Sequence, residues 1–170
     1  AQIRVVISNR DEAPGLTRAR ALGVVHQALP IRPGEVRARW EMRLVALLRD
    51  FGVTTVALAG FDRLLTPTFL ACFPGRVVNI HPSLLPRYPG PRAQAQAIED
   101  GATVSGCTVH LVDEGMDSGP ILAFARVEVL SGDSEETLSE RILAAEHWLY
   151  PETLQRWLRG DIVPQPQGGG

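Results

Sequence analysis

An amide and an imidazole stand two positions apart at the end of one apolar segment. Asn79 and His81 belong to the segment 76–81, RVVNIH, which we predict to be a strand. Successive side chains of a strand point to opposite faces, so Asn79 and His81 project from the same face. Pro82 follows at once and ends the strand, because proline cannot donate to a sheet ladder. The spacing therefore places the amide donor of Asn79 and the titratable ring of His81 side by side on one face of the strand.

A later loop supplies carboxylates, since Asp113, Glu114 and Asp117 follow a predicted strand closely. A carboxylate near an imidazole raises the pKa of the ring and can keep it protonated near neutrality. We predict that Asp117 tunes His81, and that Asn79 and His81 stabilise a developing oxyanion in an acyl-type transfer. The alternative is that Asn79 and His81 only satisfy backbone groups of the loop. Spacing alone does not separate these two interpretations.

The remaining histidine and cysteine patterns are weaker. His110 lies within the predicted strand 104–112, and Cys107 has the opposite parity, so the two would face different sides and make a poor metal pair. We interpret His110 as a structural histidine. Cys72 and Cys107 form no CxxC motif and lie in apolar surroundings, which is typical of buried, reduced thiols in a cytoplasmic protein. No metal site is predicted.

Composition excludes several classes of function. The 170 residues are 45% hydrophobic and carry 17 basic and 19 acidic side chains, for a net charge of −2. This balance does not favour a nucleic-acid partner. All the basic residues are arginine, which excludes Schiff-base lysine chemistry and a P-loop lysine. No apolar run approaches the roughly 20 residues of a membrane span, so no membrane partner is predicted.

The elements that must position these residues alternate along the chain. This order predicts an α/β fold with a doubly wound, mostly parallel sheet and helices on both faces. Predicted strands cover residues 3–8, 24–28, 53–60, 76–81, 104–112 and 121–130, the last suited to antiparallel pairing at an edge. Predicted helices cover residues 14–22, 36–51, 66–73 and 93–99. In such sheets ligands bind at the carboxyl ends of strands, here the loops 62–65, 82–91 and 113–120.

A last helix is predicted after Asp133, with an apolar stripe of Leu138, Ile142, Ala145 and Leu149, and it carries two further signals. Asp133 and Glu136 predict a capping-box start, and Pro151 should kink or break the helix. We predict a single domain over residues 1–160 and a disordered tail over residues 161–170, which are rich in proline, glutamine and glycine.

Longer motifs add a resemblance to a known family. The segments 79–90 (NIHPSLLPRYPG), 106–112 (GCTVHLV) and 117–122 (DSGPIL) are similar to those of the phosphoribosylglycinamide formyltransferases, a branch of the folate-dependent formyltransferases. The resemblance runs from about Ile3 to Trp157. It implies a Rossmann-like formyltransferase fold and transfer of the formyl group of 10-formyltetrahydrofolate to the amine of glycinamide ribonucleotide in purine biosynthesis. It implies no metal, and a protein that is a monomer or a homodimer.

The resemblance also implies roles for individual residues. His81 would be the general acid and oxyanion stabiliser, Asn79 would donate to the same oxygen, and Asp117 would raise the pKa of His81 and assist proton removal from the amine. Pro82 and Glu146 would contact the ribonucleotide. The implied folate-binding residues are Arg37, Asp62, Arg63, Leu64, Leu65, Asn79, Asp113, Glu114, Gly115, Met116 and Asp117.

The sequence departs from the family at two places. The family begins with a strand and a Gly/Ser-rich loop that holds the substrate phosphate at a helix N-terminus, whereas Ile3 to Asn9 matches its second strand; we expect the first unit to precede Ala1. Residues 91–94 (PRAQ) also differ from the commoner Leu-His-Thr-His. Two alternatives stay open: hydrolysis of formyltetrahydrofolate, in which water replaces the amine, and a non-catalytic folate-binding remnant.

Overall fold

The alternation of strands and helices is present in a computed structural model that describes residues 1–61 and 63–168. The chain divides into two compact units. The first comprises Ala1–Thr55 and Leu65–Phe73, and the second comprises Val56–Leu64 and Pro74–Gly170. Each unit is described by itself below. The single domain predicted over residues 1–160 stays a prediction.

The first unit is a small α/β layer. Its elements are β1 (Val6–Ser8), α1 (Pro14–Ala21), β2 (His26–Ala28), α2 (Arg37–Asp50) and α3 (Pro67–Cys72). The strands β1 and β2 pair in parallel. Trp40, Leu44 and Leu48 of α2, which recur at helical spacing, are buried. Thr66 caps α3 by accepting a hydrogen bond from the backbone N–H of Phe69.

The second unit contains a four-stranded sheet in the order β3-β4-β5-β6. Its elements are β3 (Val56–Leu58), β4 (Val77–His81), α4 (Ala93–Glu99), β5 (Val104–Leu111), β6 (Ile121–Glu128) and α5 (Glu135–Arg159). The strands β3 and β4 pair in parallel, whereas β4–β5 and β5–β6 are antiparallel. The predicted α/β class is confirmed. The parallel pairings are β1–β2 and β3–β4, and β6 is antiparallel as its sequence suggested.

One face of this sheet forms the core. The inward side chains of β4 and β5 include Val78, Cys107 and Val109, which pack with Leu138 and Ile142 of α5. Val, Leu and Ile side chains stabilise the fold by about 1.5–3 kcal/mol each when fully buried. Because strand side chains alternate, the same burial directs the intervening residues of β4 and β5 to the opposite face.

The structure corrects the expected start of α5 and shows no break at Pro151. Its N-cap is Ser134 and not Asp133, and the capping box pairs Ser134 with Thr137. The Asp133 carboxylate instead accepts hydrogen bonds from the backbone N–H of Leu130 and from Arg141. Pro151 lies inside the helix without breaking it. Proline removes one hydrogen bond of the helix, but buried residues on either side of Pro151 anchor α5 in the core, and such packing supplies most helix stability.

The segment that follows α5 also differs from its prediction. In place of a disordered tail, Gln165 forms an antiparallel bridge with Ile121 at the start of β6, and the Gln167 side chain donates two hydrogen bonds. Backbone pairing of this kind compensates for the weak hydrophobicity of the segment. Residues 169 and 170 lie outside the described residues. No helix within the described part of the chain is long and apolar enough to span a membrane.

Candidate active site

The polar face of β4 and β5 collects four side chains. In the antiparallel register Asn79 lies opposite His110, and His81 lies opposite Thr108. Directly paired residues share a face of the sheet, and the other face is the apolar core. The predicted projection of Asn79 and His81 from one face therefore agrees with the register. This face lies at the end of β4, as expected for a site at the carboxyl end of a strand.

His81 is held between two acceptors. Its Nδ1 lies 3.3 Å from Oδ2 of Asp117, and its Nε2 lies 2.8 Å from the backbone carbonyl oxygen of Tyr88. The side chain is only 7% exposed. A doubly protonated ring can donate to both acceptors, whereas a neutral ring satisfies one.

The pKa of His81 reflects opposing effects. Burial lowers the pKa and outweighs the Tyr88 carbonyl and the Asp117 carboxylate, both of which raise it; the nearby His110 lowers it further. Asp117 therefore raises the pKa of His81, as expected. The net pKa is nevertheless below its ordinary value, because desolvation disfavours the charged ring.

His110 joins the cluster, which its interpretation as a structural histidine did not anticipate. Its Nδ1 donates to the carbonyl oxygen of Leu111 at 2.9 Å, which leaves Nε2 to face the other side chains of the cluster. That nitrogen lies 3.3 Å from Nδ2 of Asn79 and 3.6 Å from Oδ1 of Asp117. The signals in the sequence were the parity that His110 shares with Thr108 near the end of a strand and its place in the family motif 106–112.

Asp117 connects the two histidines. Its carboxylate faces His81 through Oδ2 and His110 through Oδ1, and the backbone N–H of Gly90 donates to Oδ2 at 2.8 Å. Burial raises the pKa of Asp117, but hydrogen bonds from His110 and Gly90 and the charge of His81 lower it more, so its net pKa lies below the ordinary value. The carboxylate thus stays ionised near neutral pH. Its backbone φ is +52°, in the left-handed region.

The loop that carries Asp117, residues 113–120, is closely packed. A Cβ built on Gly119 would lie 1.9 Å from the carbonyl oxygen of Leu111. Oδ1 of Asp113 accepts hydrogen bonds from the backbone N–H of Gly115 at 3.0 Å and from Oγ of Ser118 at 2.8 Å. These contacts fix the loop against the end of β5 and orient Asp117. We call this segment the Asp117 loop.

The Asp117 loop also meets the loop 82–91. A Cβ on Gly90 would approach Sδ of Met116 to 2.8 Å, beside the hydrogen bond from Gly90 to Asp117. Glu114 and Met116 are exposed, and Pro82 is half-buried next to His81. The structure thus brings the predicted residues of the Asp117 loop next to the predicted catalytic pair.

The remaining predicted folate-binding residues belong to other elements of the chain. Arg63 and Leu64 are exposed in the loop after β3. Arg37 begins α2 and Leu65 is buried, both in the first unit. Asp62 lies outside the described residues.

Glu146 belongs to α5, which packs on the core face of the sheet. Burial raises the pKa of its carboxyl group. Its described electrostatic neighbour is Cys107, whose pKa burial raises to about 12. The described contacts therefore do not join Glu146 to the cluster around His81. Among the residues that the structure describes, no group of three His, Cys, Asp or Glu side chains could hold a metal ion.

Comparison with known proteins gives consistent relatives. A family profile described as "Formyl transferase" matches residues 1–154. The chain is 37% identical to the Escherichia coli protein named phosphoribosylglycinamide formyltransferase, over 98% of this chain and 84% of that protein. It superposes with a TM-score of 0.91 on the crystal structure of glycinamide ribonucleotide transformylase 1 from Symbiobacterium toebii, at 44% identity, covering 96% of this chain and 80% of that one.

Longer relatives contain the same region. The trifunctional purine biosynthetic protein adenosine-3 of Drosophila pseudoobscura pseudoobscura is 46% identical over 91% of this chain, which spans 11% of that protein. The human protein of the same name is 40% identical over 95% of this chain, which spans 16% of it. The match of the family profile to nearly the whole described chain leads to one conclusion: this chain belongs to the formyl transferase family.

Proposed function

We propose that this chain transfers the formyl group of 10-formyltetrahydrofolate to the primary amine of glycinamide ribonucleotide. The observation that carries the proposal is the position of Asp117, whose carboxylate lies 3.3 Å from His81 and 3.6 Å from His110 on the face that also holds Asn79. An amide donor, an ionised carboxylate and an imidazole suit acyl transfer. Relatives named phosphoribosylglycinamide formyltransferase support the choice of acceptor.

The reaction requires balanced movement of one proton. The amine nitrogen attacks the formyl carbon, a C–N bond forms and the carbonyl oxygen becomes an oxyanion. The bond from the formyl carbon to N10 of the folate then breaks as the carbonyl re-forms. The amine loses one proton and N10 gains one, so catalysis needs a donor for the oxyanion and a path for that proton.

In this proposal His81 and Asn79 act on the formyl oxygen. Protonated His81 provides positive charge there, and its contact with Asp117 favours that protonated state against the larger opposing effect of burial. Asn79 donates an amide N–H to the same oxygen, while its contact of 3.3 Å with Nε2 of His110 fixes the amide plane. Groups that are already oriented toward a developing charge stabilise it without reorganisation.

Asp117 serves the amine. Its lowered pKa keeps the carboxylate available to accept a hydrogen bond from the attacking nitrogen as that nitrogen becomes positive. Met116 and Glu114, exposed in the same loop, and Arg63 and Leu64 after β3 are proposed folate contacts. The roles of Arg37, Leu65, Pro82 and Glu146 stay as the family resemblance implies them. The monomer or homodimer state stays a prediction.

The test is a formyl-transfer assay on the full-length protein with 10-formyltetrahydrofolate, with and without glycinamide ribonucleotide. We expect formylated product only when the ribonucleotide is present. We also expect His81→Asn to lower turnover by at least about 100-fold, the lower end of what general acid–base groups contribute. The matched control is His26→Asn, because His26 is exposed and bonds only locally to the carbonyl of Val24.

The other possible results separate the alternatives. Release of formate without the ribonucleotide would indicate a hydrolase that uses the same cluster. Folate binding without turnover in either condition would indicate the binding remnant. Normal turnover in His81→Asn would contradict the proposed mechanism.

A further inference from the structure

The segment after α5 is joined to the strand that follows the Asp117 loop. The backbone N–H of Ile121 donates to the carbonyl of Gln165 at 2.7 Å, and the N–H of Gln165 donates back at 2.8 Å. This pair of hydrogen bonds holds residues 163–167 alongside the start of β6. Gln167 then lies beside the Asp117 loop.

The Gln167 side chain donates to two carbonyls of that loop. Its Nε2 lies 2.7 Å from the carbonyl oxygen of Asp117 and 2.8 Å from that of Gly119. These carbonyls flank Ser118, and a primary amide has two N–H groups with which to reach both. One side chain therefore binds the main chain on both sides of the turn.

The conformation of Asp117 makes this contact important. A φ of +52° is uncommon for residues other than glycine, although aspartate adopts it more readily than most, and surrounding contacts maintain it. From this conformation the carboxylate reaches His81, His110 and the N–H of Gly90. Relaxation of the backbone would move the carboxylate away from all three partners.

We infer that Gln167 is a positioning residue, which holds the main chain of Asp117 in the left-handed conformation that directs its carboxylate to His81. The catalytic consequence rests on the proposed function, whereas the effect on His81 does not require turnover. Gln165 holds the segment by its backbone, and the hydrogen bond described for its side chain goes to the carbonyl of Val163 at 3.2 Å, within the same segment. Variants of the two glutamines therefore distinguish attachment of residues 163–167 to β6 from positioning of the Asp117 loop.

The test compares Gln167→Met with Gln165→Met. Methionine keeps nearly the length of glutamine but has no N–H donor. The first measurement is the NMR titration of the Cε1 proton of His81. Asp117 from its loop, His110 from β5 and the Tyr88 carbonyl face that ring. Because the carboxylate moves away, we expect the titration of His81 to shift to lower pH in Gln167→Met and to be unchanged in Gln165→Met.

The second measurement is formyl transfer at neutral pH. We expect kcat to fall about tenfold in Gln167→Met, within the range caused by small misplacement of a reacting group, and to stay at the parent value in Gln165→Met. Circular dichroism checks folding, and Gln167→Ala provides a smaller variant that also lacks the donor. A parent-like His81 titration in a folded Gln167→Met or Gln167→Ala protein would overturn the inference, and so would an equal shift in Gln165→Met.

The two proposals fail in different ways. If the parent protein does not transfer formyl groups but Gln167→Met still shifts the titration of His81 to lower pH, the positioning role stands and the proposed function is wrong. If the parent is active and both the titration and kcat are unaffected by loss of the Gln167 amide, the positioning role is wrong.

Discussion

Asp117→Asn isolates the charge of the carboxylate from its shape. The asparagine oxygen can still accept the hydrogen bond from Gly90, so the Asp117 loop should keep its position. What disappears is the attraction between the carboxylate and protonated His81 across 3.3 Å. We expect kcat to fall while binding of both substrates changes little.

The magnitude follows from that distance. Two unit charges 3.3 Å apart attract by about 5 kcal/mol at an effective dielectric constant of about 20. Asp117 is 15% exposed, so solvent screens part of this energy, and the amide dipole replaces part of it. If about half appears in the activation barrier, about 2–3 kcal/mol, kcat falls by about 30- to 150-fold.

The assay is steady-state formyl transfer at neutral pH, with thermal unfolding measured on the same samples. Asp161→Asn is the matched control, because Asp161 is an exposed residue beyond α5 and the substitution removes the same charge. A folded Asp117→Asn protein whose kcat stays within about threefold of the parent would refute the electrostatic reasoning, since about 2 kcal/mol corresponds to about 30-fold.

Three further predictions concern titration, reactivity and stability. Burial lowers the pKa of His81 in the folded protein below its ordinary value of 6.5. As the pH falls below that value the unfolded chain takes up the proton first, so the free energy of unfolding decreases. Urea unfolding between neutral and mildly acidic pH should therefore show a smaller loss of stability in His81→Asn than in the parent. Because burial raises the pKa of Cys107 to about 12, a thiol reagent at mildly alkaline pH should label half-buried Cys72 and leave Cys107 unmodified until the protein unfolds. Leu138→Ala should lower the free energy of unfolding by about 3–4 kcal/mol, because Leu138 is fully buried; a loss below about 1 kcal/mol would show that the core relaxes around it.

Much of the candidate site follows from local rules of sequence. The period of two along β4 predicts that Asn79 and His81 share a face, and the proline after them predicts the end of the strand. The loop of glycines and carboxylates predicts where Asp117 lies relative to a strand end. The periodicity of α5 likewise predicts that Leu138 and Ile142 are buried, as they are.

Other features depend on contacts between distant residues. His110 enters the cluster because β5 pairs antiparallel with β4 in one register, and no pattern within β5 fixes that register. The net pKa of His81 is lowered because burial outweighs the raising effect of Asp117, the neighbour that the sequence identified. The segment 163–167 is too polar to indicate structure by itself, and its partner Ile121 lies more than forty residues earlier.

The contact between Gly119 and Leu111 limits how this protein could be engineered. A side chain at position 119 would clash with the carbonyl oxygen of Leu111, which is the oxygen that accepts the hydrogen bond from His110. A library that varies position 119 would therefore disturb the orientation of the His110 ring before it altered the shape of the loop. Met116 is 51% exposed, so if it contacts folate as proposed, randomising position 116 would change ligand preference while leaving that carbonyl in place.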